Sequence, residues 1–513
     1  MILVRTNLNI SIGLGHYMRM TRLARELKKF KEDVIILIDK PNVQFETNEF
    51  KHYYLYPKNN FVNEKEDAKK TKLFLNKHKV TKVVVDDYRL GYKWEKLIKN
   101  KRVQLTVFDD FYKNKHFCNI FVNCKLFTTE DKKEIIFNLN KQSNLLIGPR
   151  YAILNKNLVK KNYNSSNFNI TFYAGGGGDS KIFYEVINKL CMNNKNIKIN
   201  LIISLNKNFL KKYLKLKKKY KNFNIFFKKK YVEVISRTDL YIGYQGNAIY
   251  ENSYLKKLSI FFPSTSNQHN DSKHLNSLGH NFLTTKNILR KNKAIGNLID
   301  KIISNFKKLS DESFKNINLV DKGGASRVAK CILGHKKDST NKKKVKNYSN
   351  KFRIKKINIQ DMHRYLTSRN LFNNRSKMIN KKKIELIDHY NWWLGKDFNS
   401  RETFKVCFNE KLLLFIWHKI IIINKNNYYV GGWHVADKEC KINEILVALK
   451  WQLKRTNNNK NWLAVINKKN KAVLKLNKIL GFTENFRDKN DYLSAVSYFK
   501  ATKKKFKYFI YNN

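Results

Sequence analysis

A histidine beside two glycines is the first feature of this chain that suggests chemistry. The run Gly13-Leu14-Gly15-His16 follows an apolar stretch at residues 2–4 and precedes a helix-like pattern. Glycines in a turn from strand to helix let the backbone approach a ligand closely and present side chains at the carboxyl end of the strand. An isolated histidine is more often structural. In this turn, however, His16 is well placed to act as a general acid or base near neutral pH.

Two pairs of carboxylates follow other strand-like runs of the first half. Asp86-Asp87 is followed by Tyr88, and Asp109-Asp110 comes after the mostly apolar residues 105–108. The carboxyl ends of parallel strands share one edge of a sheet, so we expect these side chains near His16. Carboxylates there can orient a histidine, raise its basicity or bind sugar hydroxyls. The alternative is that Asp86 and Asp109 only cap the helices that follow them.

Three polar turns follow strand-like runs in the second half. A run of four glycines precedes Asp179, residues 243–247 lead into a helix containing Glu251, and residues 263–268 precede a further helix. Backbone N–H groups that glycines expose at a helix N-terminus favour phosphate oxygens. A glycine run by itself is also consistent with a simple flexible turn. Together the three turns predict a nucleotide pocket.

Two series of short apolar runs, separated by helical patterns, must position these residues. The first includes residues 34–38, 83–85 and 120–122, and the second begins near residue 168. Such runs are typical of parallel sheets covered on both faces. We predict two doubly wound α/β domains, residues 1–160 and 161–335, which face each other across a cleft as in GT-B glycosyltransferases.

The remainder of the chain predicts a linker and a third domain. Residues 336–351 are polar and charged without apolar periodicity, which is typical of a linker, and residues 352–513 mix helical and strand-like runs in an α+β pattern. A length of 513 residues also favours two or three domains.

Composition limits the classes of function. The net charge of +64 would favour nucleic acid, but lysine is spread through nearly every segment and no nucleic-acid-binding motif is present, so we expect no specific nucleic-acid partner. The absence of a long uncharged apolar run or signal segment predicts no membrane insertion. The six cysteines lack zinc-ligand or disulfide spacing, which favours a reduced cytoplasm and no metal site.

The motifs of residues 1–330, taken in order, resemble those of a known family. Arg5 precedes the run from Ile12 to His16 with Arg19, and Val85-Asp86-Asp87-Tyr88, Phe108-Asp109-Asp110 and Gly148-Pro149-Arg150-Tyr151 come next. The glycine loop, Gly246 to Glu251, and Asn267-Gln268 complete the set. This set resembles the UDP-2,4-diacetamido-2,4,6-trideoxy-β-L-altropyranose hydrolases of pseudaminic acid biosynthesis.

The resemblance implies hydrolysis of a UDP-sugar at its anomeric carbon without a cofactor. It makes His16 the base that activates water, with Tyr88 and Asp86 completing the catalytic set, and it places UDP mainly on the second domain. The four glycines before Asp179, and Asn247 with Ala248 where the family more often has Ser or Thr, depart from the usual pattern. The implied substrate contacts are Arg5, Gly13, Gly15, Arg19, Asp109, Arg150, Tyr151, Gly175, Gly176, Gly177, Asp179, Gly246, Asn247, Glu251, Asn267 and Gln268.

Residues 352–513 resemble a GCN5-related N-acetyltransferase, most closely the aminosugar acetyltransferase of the same pathway. The strand with Ala464-Val465, followed by Asn470 and a helix ending in Leu480-Gly481-Phe482, carries this resemblance. It implies acetyl-CoA as co-substrate, bound near Val435, Lys441 and Asn470. The expected glycine-rich loop is absent at residues 436–441, and Asn477 stands where many relatives have a tyrosine, so a degenerate structural domain is the alternative. The aromatic residues at 389–393 fit either a sugar pocket or a core.

The combined prediction is a hydrolase fused to an acetyltransferase. Its partners would be a UDP-sugar and acetyl-CoA. A GT-B glycosyltransferase that passes the sugar to an acceptor, and a basic scaffold that binds nucleic acid, are the alternatives.

Overall fold

The chain forms two compact units, and the first two sheets lie in one unit and the third sheet in the other. The computed structural model describes residues 1–8, 14–40, 49–56, 61, 63–111, 113–140, 142–160, 167–176, 178–193, 196–203, 209–263, 272–290, 292–335, 352–378, 380–436, 440–458, 460–484, 486, 489–502 and 504–512.

The first sheet is parallel and has seven strands in the order β3-β2-β1-β4-β5-β6-β7. The apolar runs of its central strands, such as residues 2–4 and 83–85, are buried because helices cover both faces. The order reverses between β1 and β4, where doubly wound sheets bind ligands. The strands are β1 (Ile2–Thr6), β2 (Val34–Ile38), β3 (Lys51–Tyr54), β4 (Lys82–Asp86), β5 (Gln104–Phe108), β6 (Ile120–Asn123) and β7 (Asn144–Ile147). The helices are α1 (Gly15–Lys29), α2 (Glu64–Lys77), α3 (Tyr92–Ile98) and α4 (Thr129–Phe137), and Pro149–Tyr151 is a 3₁₀ turn.

The second sheet repeats this plan with six parallel strands in the order β10-β9-β8-β11-β12-β13. These are β8 (Phe168–Tyr173), β9 (Ile197–Ile203), β10 (Phe223–Phe227), β11 (Leu240–Tyr244), β12 (Leu258–Phe262) and β13 (Phe282–Leu283). The 3₁₀ turns are Ser180–Phe183, Lys228–Lys230 and Ser272–Leu278. The helices are α5 (Tyr184–Asn193), α6 (Leu210–Lys219), α7 (Tyr231–Ser236), α8 (Asn247–Leu255), α9 (Lys286–Arg290), α10 (Asn292–Ser304), α11 (Phe306–Phe314) and α12 (Gly324–Ile332).

Helix α12 packs back onto the first domain, against α1. Its first residue, Gly324, lies so close to Ala152 that an added Cβ would stand 2.1 Å from the Ala152 carbonyl oxygen. Arg327 on the same helix donates from Nε to the Arg150 carbonyl at 3.1 Å. The chain after the second sheet thus ties the two nucleotide-fold domains together.

The third sheet, in the other unit, is mixed and has its six strands in chain order. They are β14 (Phe352–Lys356), β15 (Glu402–Phe408), β16 (Lys411–Ile423), β17 (Asn426–Val435), β18 (Trp462–Asn467) and β19 (Phe506–Tyr511). The helices are α13 (Met362–Arg369), α14 (Phe372–Arg375), α15 (Leu386–Trp393), α16 (Lys396–Asn399), α17 (Ile442–Arg455), α18 (Lys471–Ile479) and α19 (Lys489–Phe499), with a 3₁₀ turn at Ile359–Asp361. The predicted fold class, two doubly wound parallel-sheet domains followed by an α+β domain, is confirmed.

Candidate active site

The adjacent ends of β1 and β4 bring the first set of predicted residues together. The two strands are parallel neighbours in a register that pairs Thr6 with Asp86, the last residue of each strand. Helix α1 starts at Gly15, so His16 lies in its first turn, above this edge of the sheet. The space beside Gly15 is open, since an added Cβ would meet nothing within 4 Å. A ligand can therefore approach the backbone next to the histidine.

Asp86 joins His16 and Arg19 in one buried cluster. His16 Nδ1 lies 2.6 Å from Asp86 Oδ1, and Arg19 donates from Nε to Asp86 Oδ2 at 2.8 Å and from a terminal nitrogen to Oδ1 at 2.6 Å. The Asp86 side chain is fully buried, whereas the His16 side chain is 13% exposed. This arrangement orients the imidazole, and Nε2 is the ring nitrogen that is not bound to Asp86.

Tyr88 and Asp110 complete the cluster on its solvent side. The Tyr88 ring meets the His16 ring edge to face, with centroids 4.4 Å apart. The Tyr88 hydroxyl donates to Asp110, which also accepts from Arg19 at 3.2 Å. Tyr88 is 41% exposed, so the side chain next to His16 borders the solvent.

Charge within the cluster sets the protonation of its members. Burial disfavours the charged forms of His16 and Asp86, but the Arg19 guanidinium and the His16 ring hold the pKa of Asp86 well below its usual range. Burial lowers the pKa of His16, but the Asp86 carboxylate outweighs this effect and raises that pKa above its ordinary value of 6.5. Burial raises the pKa of Tyr88, and the nearby Asp110 carboxylate adds to that rise, so the phenol stays protonated. The result is a basic histidine held by a permanent carboxylate.

Arg5 lies beneath this cluster in a second ion network. It is fully buried and donates to Asp39 at 2.8 Å and to Asp67 at 2.7 Å. Asp39 also accepts from Arg89 at 2.7 Å, and Arg89 in turn pairs with Asp87. The predicted substrate contact of Arg5 is therefore replaced in this structure by ion pairs inside the domain, which tie β1, β2 and the turn after β4 together.

Asp109 is turned away from the His16 cluster, and its neighbour Asp110 takes the position beside Arg19. Asp109 is buried and accepts from His116 Nε2 and from the Asn114 side chain, both at 2.9 Å. The other ring nitrogen of His116 lies 2.7 Å from Glu95. Burial opposes protonation, but hydrogen bonds to the two carboxylates raise the pKa of His116 to about 9.

The second domain contributes Glu251 from helix α8. Glu251 is buried and accepts from the Tyr231 hydroxyl at 2.7 Å and from Arg22 of α1 at 2.9 Å. Gly246 precedes α8 with a φ of +134°, a conformation that favours glycine, and Asn247 begins the helix. The backbone N–H groups of this first turn therefore lie at the carboxyl edge of the second sheet.

The glycine loop after β8 reaches the turn that holds His16. An added Cβ at Gly176 would stand 3.1 Å from the Cβ of Leu14, two residues before His16. Gly175 has a φ of +76°, and Asp179 accepts from the Lys181 amide at 2.9 Å as the cap of a short 3₁₀ turn. The predicted phosphate loop therefore contacts the turn that leads into His16.

The other predicted contacts lie elsewhere. Tyr151 is buried, and the backbone of Arg150 is held by α12. Gly13, Gly177, Asn267 and Gln268 lie outside the described residues.

The predicted acetyl-CoA contacts lie at strand and helix ends of the third sheet. Val435 ends β17, and its carbonyl accepts from Asn374 at 2.9 Å. Lys441 is exposed directly before α17, and Asn470 caps α18. His389 and Tyr390 are buried in a helix, with Nε2 of His389 3.1 Å from the Met362 carbonyl oxygen, as expected for a core rather than a pocket wall.

Among the described residues, no group of three or more His, Cys, Asp or Glu side chains is arranged to hold a metal ion. No described helix combines the length and apolar character needed to cross a membrane.

Comparison with known proteins gives distant relationships. No protein-family profile matches the chain. A Methanocaldococcus jannaschii protein described as uncharacterized is 25% identical over 276 residues, which are 50% of this chain and 54% of that protein. The chain therefore spans about half the length of the curated relative that it matches.

Solved structures with low identity are also similar to the chain. MurG of Acinetobacter baumannii is 10% identical, with a TM-score of 0.45 over 65% of this chain and 99% of that chain. A UDP-GlcNAc 2-epimerase from Neisseria meningitidis, bound to UDP-GlcNAc, is 12% identical with a TM-score of 0.42, over 65% of this chain and 100% of that chain. A glycosyltransferase from Rickettsia africae is 15% identical with a TM-score of 0.43, over 65% of this chain and 99% of that chain.

Arg22 and His116 were not predicted from the sequence as residues of the site. In the sequence, Arg22 has the pattern of an ordinary charged residue of an amphipathic helix, and His116 has that of a histidine in a loop. Asp110 was predicted only as one member of the Asp109-Asp110 pair. The signal for Asp110 was its place after a strand, but strand position alone does not tell which carboxylate turns toward Arg19.

Proposed function

We propose that the first two domains hydrolyse a UDP-2,4-diacetamido-2,4,6-trideoxyhexose to UDP and the free sugar. The observation that carries this proposal is the Asp86–His16 pair, which follows a turn in contact with the glycine loop of the second domain. A base beside a phosphate loop suits attack on a carbon that carries a diphosphate leaving group. The order of motifs shared with the hydrolases of pseudaminic acid biosynthesis supports the choice of substrate.

In the proposed reaction water is the nucleophile. The water oxygen bonds to the anomeric carbon, the bond from that carbon to the diphosphate oxygen breaks, and UDP leaves with the electron pair. His16 Nε2 accepts the proton of the water, and Asp86 stabilises the imidazolium that forms. General-base assistance contributes about 10²–10⁴-fold, so positioning and stabilisation of the leaving phosphate must supply the rest.

Tyr88 would position the sugar or the water beside His16. Its ring fixes one face of the imidazole, and its hydroxyl, held by Asp110, lies at the border with solvent. Because its pKa is raised, the phenol would act as a hydrogen-bond donor and acceptor rather than as a charged group.

UDP would lie against the second domain. The loop with Gly175 and Gly176 and the first turn of α8 offer backbone N–H groups to the diphosphate. Glu251 has a carboxylate suited to ribose hydroxyls, with Tyr231 and Arg22 fixing its orientation.

For the third domain we propose acetyl transfer from acetyl-CoA to an aminosugar. Strands β17 and β18 run parallel but pair only at Tyr429 and Trp462, so the two strands separate toward their carboxyl ends. Backbone groups along such a gap can hydrogen-bond an extended amide chain, as an added strand would. The pantetheine arm of acetyl-CoA has that chemistry.

A cavity next to Tyr88 favours a second candidate, a glycosyltransferase. It has a volume of about 380 Å³ and is lined by Tyr88, Tyr92, Asn114, Lys115 and His116 among others, which leaves room for an acceptor. A hydrolase releases UDP in buffer alone, whereas a transferase needs the acceptor for turnover.

The test follows UDP release from a panel of UDP-diacetamido sugars. We expect turnover without an acceptor, and His16→Asn should reduce kcat by about 10²–10⁴-fold. His78→Asn, which replaces a histidine at the end of α2, is the matched control. Undiminished turnover in His16→Asn would overturn the assignment of the base, and no turnover of any sugar would overturn the hydrolase.

A further inference from the structure

An arginine that pairs with one carboxylate and a nearby lysine lie between the two nucleotide-fold domains. Arg22 comes from α1 of the first domain, Lys228 follows β10 of the second, and Glu251 lies on α8 of the second. None of the nucleotide-binding motifs of the sequence includes Arg22 or Lys228. The proposed substrate contacts therefore do not account for these two cations.

The arginine is held in place but not saturated. Its side chain is 12% exposed, and one terminal nitrogen donates to Glu251 at 2.9 Å and to the Ile153 carbonyl at 3.2 Å. Its Nε is buried and has no hydrogen-bond partner among the described residues. A buried guanidinium N–H without a partner is costly, because these groups are strong donors.

The lysine is also partly shielded from water, and the charge of Arg22 acts on it. Lys228 is half-buried, and burial, followed by repulsion from Arg22, lowers the pKa of its ammonium group to about 8, against the attraction of Glu251. Glu251 already accepts hydrogen bonds from Arg22 and Tyr231. Lys228 lies three residues before Tyr231, whose hydroxyl reaches Glu251, and the charges of Arg22, Lys228 and Glu251 sum to +1 when Lys228 is protonated.

An excess positive charge that is shielded from water is stabilised by an anion. The first turn of α8 and the glycine loop after β8 lie on the same domain and favour anions as well. A group with several acceptor oxygens could neutralise both cations, which the single carboxylate of Glu251 does not do.

We propose that Arg22 and Lys228 form an anion subsite between the two domains that binds a phosphate group, as in a nucleoside diphosphate. The assignment to the phosphates of UDP rests on the proposed function, whereas the charge imbalance does not. The subsite uses one residue from each domain, so a bound phosphate also links the two.

The experiment measures binding of inorganic pyrophosphate, UDP and uridine to the full chain by calorimetry. Lys228→Met removes the ammonium group, and Lys229→Met removes the same charge from an exposed neighbour as a matched control. Pyrophosphate tests the anion site without the nucleoside, and uridine tests the nucleoside without phosphate. We expect pyrophosphate and UDP to bind about 10-fold to 100-fold more weakly to Lys228→Met, with uridine unchanged and Lys229→Met close to wild type.

Proton uptake gives a second readout on the unmodified chain. At pH 8, close to the pKa of Lys228 in the free protein, binding of an anion should draw a proton onto Lys228, and the uptake should disappear in Lys228→Met but not in Lys229→Met. Equal losses of pyrophosphate affinity in both variants, or no pyrophosphate binding by wild type, would overturn the subsite. UDP release from a UDP-sugar is measured separately, so failure of the subsite and failure of the hydrolase are distinguishable.

Discussion

At the scale of single residues, the site depends on one carboxylate that serves two partners. Asp86 holds His16 through Nδ1 and Arg19 through two hydrogen bonds, and the pKa of Asp86 lies well below its ordinary value, so the carboxylate is charged near neutral pH. A permanently charged Asp86 makes His16 a stronger base than a solvent-exposed histidine.

The first prediction concerns the pH profile of Asp86→Asn. His16 must be neutral to accept a proton, so the wild-type kcat/KM should rise with pH through a pKa above 6.5. Without the Asp86 carboxylate, burial and the Arg19 charge both lower the pKa of His16. The rise of kcat/KM on the acidic side of the profile, its acidic limb, should therefore move to lower pH, while kcat falls by about 10²-fold or more. Asp87→Asn, which alters the adjacent pair with Arg89, should leave the limb in place. An unchanged limb in Asp86→Asn would contradict the pairing.

The second prediction concerns the hydroxyl group of Tyr88. Tyr88→Phe keeps the ring beside His16 but loses the hydrogen bond to Asp110, so kcat should fall by about 10-fold while the acidic limb stays near its wild-type pH. Steady-state rates at several pH values measure both effects. A normal kcat would show that the hydroxyl does not position the substrate or the water.

At the scale of elements, the strand ends were predictable and the loop details were not. Runs such as residues 34–38 and 83–85 are continuously apolar, and parallel pairing then places the turns after β1 and β4 side by side. The choice between Asp109 and Asp110 depends on the loop after β5, where the alternation of a strand no longer applies. Arg22 could not be predicted because its partner Glu251 is 229 residues away and meets it only after the domains pack.

The third prediction concerns His116, which links the loop after β5 to helix α3. Its pKa of about 9 lies above the unfolded value near 6.5, so its stabilising effect is complete below about pH 6.5 and is lost as the pH rises through 9. His116→Gln should lower the free energy of unfolding by about 3 kcal/mol at pH 6 and by less at pH 10. Denaturant unfolding at the two pH values measures this difference, with His78→Gln as the control. An equal loss at both values would contradict the charged state of His116.

At the scale of the whole molecule, the two compact units carry two separate proposed activities. The third sheet has its own core, centred on residues such as Val406, Leu414 and Ile416, which are fully buried. The linker at residues 336–351 stays a prediction from composition, and residues 297–306 of the predicted second domain group with the unit of the third sheet. The gap between β17 and β18 depends on pairing that no local pattern specifies.

The fourth prediction is that acetyl-CoA binding is independent of the hydrolase site. His16→Asn should bind acetyl-CoA like wild type, whereas Lys441→Ala, at the start of α17, should bind it about 5-fold to 10-fold more weakly because a cation near the phosphates is lost. Lys450→Ala, an exposed lysine further along the same helix, is the matched control. Equilibrium binding of acetyl-CoA measures all four proteins, and an equal loss in both lysine variants would contradict a role for Lys441.

Attack of water on the anomeric carbon is the central claim, and the fate of its oxygen tests it most directly. Turnover of the UDP-diacetamido sugar in ¹⁸O-labelled water, followed by mass spectrometry of both products, locates the bond that breaks. The account predicts the label in the hydroxyl group of the free sugar and none in UDP. Label in the terminal phosphate of UDP would show attack at phosphorus and would contradict the assigned role of His16.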